Sequence, residues 1–273
     1  MILNNITMKK VFLALAVAAM AFVGCSKDDD KTIDNLAEKL KGKWMIADRD
    51  GQAALTNKKT VLTFLSATEA LLSTSRESYS STASKWSAYL ECSVAIDGNK
   101  VTVTGHPDEH ITLIQELNIH SITTAEMEVT YKLIRMRDGE IVSSRDPIER
   151  RYEKVTTDYS DAVLGKWEGH VTSEQGSEFD DGEDHQWEYL ADGTFRYYSQ
   201  DGNGTWVTNP NQTLSQYFVD GTLLCTRWVI DGTENREWWE IASIADGVMN
   251  WTALRQREDG TTYTATFQMT KVN

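Results

Sequence analysis

Near its C-terminus the chain alternates apolar and polar positions with the period of a β-strand. Tyr263, Ala265, Phe267 and Met269 fall on one side, and Thr262, Thr264, Thr266, Gln268 and Thr270 on the other. Just before them, Met249, Trp251 and Ala253 alternate with Asn250, Thr252 and Leu254. The same rhythm predicts strands at 167–172, 185–190, 194–199, 204–208, 213–219, 222–230, 236–244, 248–255 and 261–271. Turns separate them at Asp192-Gly193, Asp201 to Gly204, Asp220-Gly221, Asp231-Gly232, Asp246-Gly247 and Asp259-Gly260. Glycine accepts the positive φ of tight hairpins, and an aspartate side chain bonds its own backbone there. Consecutive hairpins give an up-and-down antiparallel meander, and a meander with one apolar face covers that face by closing on itself.

The first half repeats this plan with weaker alternation. Its predicted strands are 42–47, 60–65, 69–75, 85–96, 100–104, 111–119, a broken run at 121–136, and 149–155, with turns at Asp97-Gly98-Asn99 and Asp138-Gly139-Glu140. Serine and threonine dominate 73–84, which reads as a loop or a wide hairpin. Leu40-Lys41-Gly42-Lys43-Trp44 returns as Val163-Leu164-Gly165-Lys166-Trp167, and a repeat at that distance divides the chain into two units of about 110 residues. A short helical pattern precedes each: Ile33, Leu36, Ala37 and Leu40 before Gly42, and Tyr159, Ala162, Val163 and Leu164 before Gly165. The expectation is an all-β chain of two tandem small up-and-down antiparallel β-barrels, each preceded by a short helix, over residues 36–155 and 160–273.

The first residues read as a targeting segment. Lys9 and Lys10 precede an apolar run from Val11 to Val23, the right size for a secretion signal and short for a membrane-spanning helix. Phe22-Val23-Gly24-Cys25 resembles the lipobox of bacterial lipoproteins. That resemblance implies a signal peptide at 1–24, lipidation of Cys25 and a membrane partner through the lipid anchor; a plain secretory signal or an uncleaved anchor are the alternatives. Ser26, Lys27, Asp28, Asp29 and Asp30 open an acidic tether at 25–35. They resemble the tag that sends Bacteroidetes-type lipoproteins to the outer face of the outer membrane, which implies a lipid-anchored outer-membrane protein facing the exterior.

A Gly-x-Trp after a short helix, followed by a meander, resembles the lipocalin barrel, and more closely the tandem lipocalin-like domains of Bacteroidetes lipoproteins. The residues that carry it are Gly42 and Trp44, Gly165 and Trp167, and the hairpin Asp192, Gly193, Thr194, Phe195 and Tyr197. The resemblance implies that Trp44 and Trp167 close the barrel bottoms under a basic side chain from the last strand. Arg150, Arg151 and Lys154 are the candidates in the first unit. Only Lys271 stands near the second, where the family's arginine is missing.

Charge and chemistry narrow the function. With 27 basic and 41 acidic residues the formal charge is -14, which makes nucleic acid a poor partner. Cys92 and Cys225 fall one in each unit and read as free buried thiols, a disulfide between them being the alternative. Most of the nine tryptophans lie in the second unit. Trp228, Trp238, Trp239, Trp251, Tyr263 and Phe267 are the candidate ligand or interface residues, and the adjacent Trp238 and Trp239 must face opposite ways. The acidic run Glu178, Asp180, Asp181, Glu183 and Asp184 lacks the spacing of a calcium loop. His106, Asp108, Glu109 and His110 surround Pro107 in what reads as a loop, so no metal and no cofactor is expected. No hydrolytic or phosphate-loop motif occurs, and no enzymatic activity is expected. Two readings remain: a carrier of a small hydrophobic, amphipathic or apolar ligand, or a non-catalytic cell-surface adaptor or glycan-handling accessory with filled barrels. The sequence names no protein partner.

Overall fold

The computed structural model describes residues 33–73, 89–173 and 183–272. The signal segment, Cys25 and most of the acidic tether lie outside the described residues, as do 74–84 and the acidic residues Glu178, Asp180 and Asp181.

A single five-residue helix, α1 (Leu36–Leu40), precedes the first sheet and buries Leu36 and Leu40. Ten strands follow: β1 (Gly42–Arg49), β2 (Gln52–Ala53), β3 (Val61–Phe64), β4 (Glu69–Ser73), β5 (Tyr89–Asp97), β6 (Lys100–Gly105), β7 (Ile111–Ile122), β8 (Glu126–Arg137), β9 (Glu140–Ser144) and β10 (Ile148–Val155). Sequential neighbours pair antiparallel, and β10 pairs with both β1 and β8, closing an 8-stranded barrel from which β2 and β9 project as short side hairpins. Inward positions alternate as period two requires; Leu117 and Ile119 on β7 and Met127 and Val129 on β8 meet Trp44 and Tyr152 in one core.

The second sheet has nine strands: β11 (Gly165–Val171), β12 (His185–Tyr189), β13 (Phe195–Gln200), β14 (Trp206–Val207), β15 (Gln212–Asp220), β16 (Leu223–Ile230), β17 (Thr233–Ala245), β18 (Val248–Gln256) and β19 (Thr262–Val272). First and last strands pair here too, Trp167 opposite Lys271. The sheet curls but does not close, because its outer strands β14 and β15 share no ladder. The two ends meet at an isolated bridge between Thr194 and Gln216, at the bond from Tyr217 N to Gly193 O, and through the Tyr217 side chain, whose hydroxyl donates to Leu190 O at 2.9 Å.

Two expectations are therefore corrected. The pair of closed barrels is one closed barrel and one open, curled sheet. Closure fails where β15 loses register between Thr213 and Gln216, at Leu214 with φ 49, and where Pro210 withdraws a backbone donor beside the two-residue β14. The second helix is absent from the described residues: only the bonds Val163 N to Tyr159 O and Leu164 N to Asp161 O form, a single turn. One turn is too short to propagate.

Barrel and open sheet pack directly on one another. Met45 and Val61 from the barrel meet Leu223 and Cys225 from the sheet, with Val155, Phe218 and Trp238 around them. Polar contacts flank this patch: Lys59 pairs with Glu240 at 2.7 Å, and Leu254 N donates to Thr56 Oγ1 at 2.8 Å.

Candidate functional site

The repeated Gly-Lys-Trp builds the same device twice. Trp44 is fully buried, and its Nε1 donates to Leu40 O at 2.6 Å; the Nε1 of Trp167 donates to Val163 O at 2.7 Å. From the last strand of each sheet a lysine lies over the ring, Lys154 Nζ at 4.4 Å and Lys271 Nζ at 5.1 Å from the centroids. Lys154 also donates to the carbonyls of Lys39 and Lys41, capping the end of α1, and burial lowers its pKa. The glycines stand at φ 107 and 109, and a Cβ on Gly42 or Gly165 would meet the lysine Cε at 3.0 Å. Glycine thus supplies both the backbone angle and the room for the lysine to cross.

Inside the open sheet the aromatic rings form one cluster. Trp187 packs edge-on against Phe267 at 5.2 Å and against Trp251 at 5.3 Å, and Trp239 lies 5.4 Å from Trp251. Of the six candidate aromatics, Trp239, Trp251 and Phe267 meet in this core, Trp228 and Tyr263 are partly buried and pack against it, and Trp238 lies apart from it. Trp238 points the opposite way from Trp239, into the contact with the barrel. Tyr263 is half-buried under Arg257, whose guanidinium stands 4.3 Å from its ring. Trp228 reaches the surface at the gap where the sheet fails to close.

That gap is a cleft of about 230 Å³. Trp187, Phe195, Tyr197 and Trp228 supply flat apolar walls, and Asn209, Gln212 and Glu237 supply polar groups. Tyr197 is fixed from behind: its hydroxyl and His185 Nδ1 are 2.7 Å apart, and its ring stacks on His185 at 5.9 Å. Phe195 meets Trp228 edge-on at 6.3 Å. Glu237 accepts from Arg255 Nη2 at 2.7 Å, and Arg255 lies over Trp239 at 4.5 Å. Sequence reasoning reached Trp228 but missed Trp187, Asn209, Gln212 and Glu237 as its neighbours. The signal available was Asn209-Pro210-Asn211, the one interruption of the strand rhythm that carries a proline beside two amides.

The barrel has its own cavity, about 190 Å³, at the end away from Trp44. A shallow groove beside Gly169 and His170 lies on the outer surface. His110 bonds Asp138 at 2.7 Å and His106 bonds Thr112 at 3.2 Å, so the polar loop residues point to separate neighbours. Among the described residues no group of three or more His, Cys, Asp or Glu side chains is arranged to hold a metal. Cys92 and Cys225 are both buried and neither is in a disulfide among the described residues, and burial pushes the Cys92 thiol up to about 11.

No family model and no curated protein matches the chain. Among solved structures it is similar to a double mutant of transferrin binding protein B from Haemophilus parasuis Hp5, at 11% identity and a TM-score of 0.24, covering 84% of this chain and 44% of that one. A single mutant of the same protein gives 11% identity and a TM-score of 0.24, over 81% and 62% of the two chains. Isotype 1 of transferrin binding protein B from serogroup B Neisseria meningitidis gives 8% and 0.23, over 82% and 67%. The chain spans less than two thirds of the length of the first two. At these scores a functional reading rests on the chain's own residues.

Proposed function

We propose that this protein is a non-catalytic accessory protein of the cell surface, tethered through lipidated Cys25, that holds carbohydrate chains in the aromatic cleft of its open sheet. The observation that carries the reading is the cleft itself. It forms where the strands fail to zip, so Tyr197 and Trp228 become reachable beside Asn209 and Gln212, over a floor that includes the buried Trp187 and Glu237. A sugar presents an apolar face of C–H groups ringed by hydroxyls. Stacking on a fixed aromatic wall with amides beside it and a carboxylate beneath matches both halves of that chemistry. The apolar-carrier reading is the weaker, since neither cavity is a continuous apolar interior: arginines line the one in the barrel, and Asn209, Gln212 and Glu237 line the cleft. The apolar run before Cys25 and the three aspartates after it support surface tethering.

The test is titration of the full chain against a panel of neutral oligosaccharides, followed by calorimetry and by tryptophan emission. Binding that Trp228→Ala reduces at least tenfold, with an unchanged melting temperature, is the expected result. A panel without any binder, or binding indifferent to Trp228→Ala, removes the proposal. Metabolic labelling with a tritiated fatty acid that disappears in Cys25→Ser tests the tether separately.

A further inference from the structure

The chain is strongly acidic, yet the cavity at the open end of the barrel is lined, among the described residues, by Arg49, Lys58, Arg135, Arg145 and Arg150 and by no carboxylate. Two strands explain how the cations arrive there. On β8 the inward series runs Met127, Val129, Tyr131, Leu133, Arg135, changing from buried apolar to cationic toward the mouth. On β10 the series runs Lys154, Tyr152, Arg150 in the same direction, with Arg150 opposite Val129. The β8–β9 hairpin, with Arg135 opposite Ser143, brings Arg145 to the same rim, its N donating to Leu133 O at 3.1 Å.

Arg150 is held in place by neutral groups. Its Cζ lies 3.3 Å from the centroid of the Tyr131 ring, and its Nη1 donates to Tyr152 Oη at 3.2 Å. Tyr131 in turn donates to Gln115 Oε1 at 3.2 Å. Arg135 and Arg145 form no ion pair among the described residues, and two buried polar atoms on the cavity wall, Arg150 Nε and Ser73 Oγ, have no hydrogen-bond partner. Converging cations in a partly enclosed space repel one another, and buried donors left unmade are costly. One occupant relieves both: an anion with several acceptor oxygens. Guanidinium forks match tetrahedral oxyanions, and a phosphate monoester brings close to two negative charges at neutral pH with three acceptor oxygens. A carboxylate brings one charge to a site that presents several.

We propose that the open end of the barrel binds a small phosphate monoester, its phosphate held by Arg135, Arg145 and Arg150 and its organic group against Leu113 and Leu133. The site lies in the other sheet from the aromatic cleft and does not rest on the carbohydrate reading. About 190 Å³ admits an ester of the size of a single ring and not a long acyl chain.

Calorimetry of the full chain with phenyl phosphate, phenyl sulfate and phenol tests this. Phenyl phosphate binds at least tenfold more tightly than phenyl sulfate, phenol gives no heat, and affinity falls as pH drops below about 6, where the phosphate takes up a proton. The double variant Arg135→Gln/Arg145→Gln, at rim positions outside the packed core, weakens phenyl phosphate at least tenfold while its melting temperature stays within a few degrees of the parent. Trp228→Ala leaves phenyl phosphate binding unchanged, which separates the two sites. Absence of phenyl phosphate binding at millimolar concentration, equal binding of phenol, or full affinity in the double variant overturns the proposal.

Discussion

Lys43 and Asp220 stand 177 residues apart in the chain, yet Nζ and Oδ1 meet at 2.9 Å where the barrel touches the open sheet. The carboxylate is fully buried and the lysine about a quarter exposed. The same ammonium reaches Asp158 Oδ2 at 2.6 Å, in the segment joining the two sheets. Burial raises the pKa of Asp220 against the opposing pull of Lys43. For Lys43, burial works to lower the pKa, but the bonds to Asp158 and Asp220 outweigh it and hold the amine above its usual range. Two separately built sheets are thereby fastened by a charge contact that each alone would lack.

Lys43→Met leaves that carboxylate buried without its cation and costs about 3 kcal/mol at neutral pH. Because the lysine pKa is raised on folding, its contribution is complete below the ordinary lysine value of 10.5 and fades as pH climbs past it. Urea midpoints of parent and variant should therefore differ widely at pH 7 and converge at strongly alkaline pH. A gap of constant size would remove the ion pair as its cause.

The lysines over Trp44 and Trp167 make a paired prediction. Lys271→Met loses a cation over Trp167 and costs about 0.5–1 kcal/mol. Lys154→Met loses the cation over Trp44 together with two carbonyl acceptors at the end of α1, so it costs more. Chemical unfolding followed by tryptophan emission ranks the two; the reverse order would show that the helix cap contributes nothing.

Gly165→Ala forces a side chain onto a backbone at φ 109 and pushes a methyl against Lys271 Cε. Strain of this kind costs about 1–3 kcal/mol. Gly202→Ala is the control, since nothing lies within 4 Å of the added carbon. Thermal melts that place both variants beside the parent would refute the account of the Gly-Lys-Trp motif.

Cys92 and Cys225 should resist alkylation in the native protein and both react once urea unfolds it. The thiolate is the reactive form, and burial holds Cys92 near 11 while Cys225 is wholly enclosed. Intact-mass measurement after iodoacetamide treatment counts the adducts, and a native adduct on either residue contradicts the packing described.

Much of this architecture was legible in the chain. The alternation around Trp251 and Phe267 set the inward face of the last strands correctly, and the Asp-Gly pairs located the hairpins, because period and turn chemistry are local. The opposite facing of Trp238 and Trp239 followed from strand geometry alone. Closure was not legible. Whether β15 meets β13 depends on a register shift and a left-handed Leu214, and neither leaves a mark in composition. The strand β9, exposed on every residue, has no apolar alternation to read. Of the aromatic cleft only Trp228 was visible beforehand, since Trp187 and Glu237 reach it through pairings across distant strands. The barrel mouth was not legible for the same reason: Arg150 stood out only as a candidate for the ring of Trp44 and lies over Tyr131 instead, and Arg49, Arg135 and Arg145 are scattered singly over β1, β8 and the β9–β10 connection.

In each sheet the strand made first is hydrogen-bonded to the strand made last, β1 to β10 and β11 to β19. Trp44 and Trp167 cannot gain the lysine that lies over each ring until a strand about a hundred residues later is in place, so each half needs nearly its whole length before it can fold. The same adjacency brings the start and finish of each half side by side. A cyclic reordering that opens the chain at an exposed hairpin and joins those two ends by a short linker should leave the wall of strands intact.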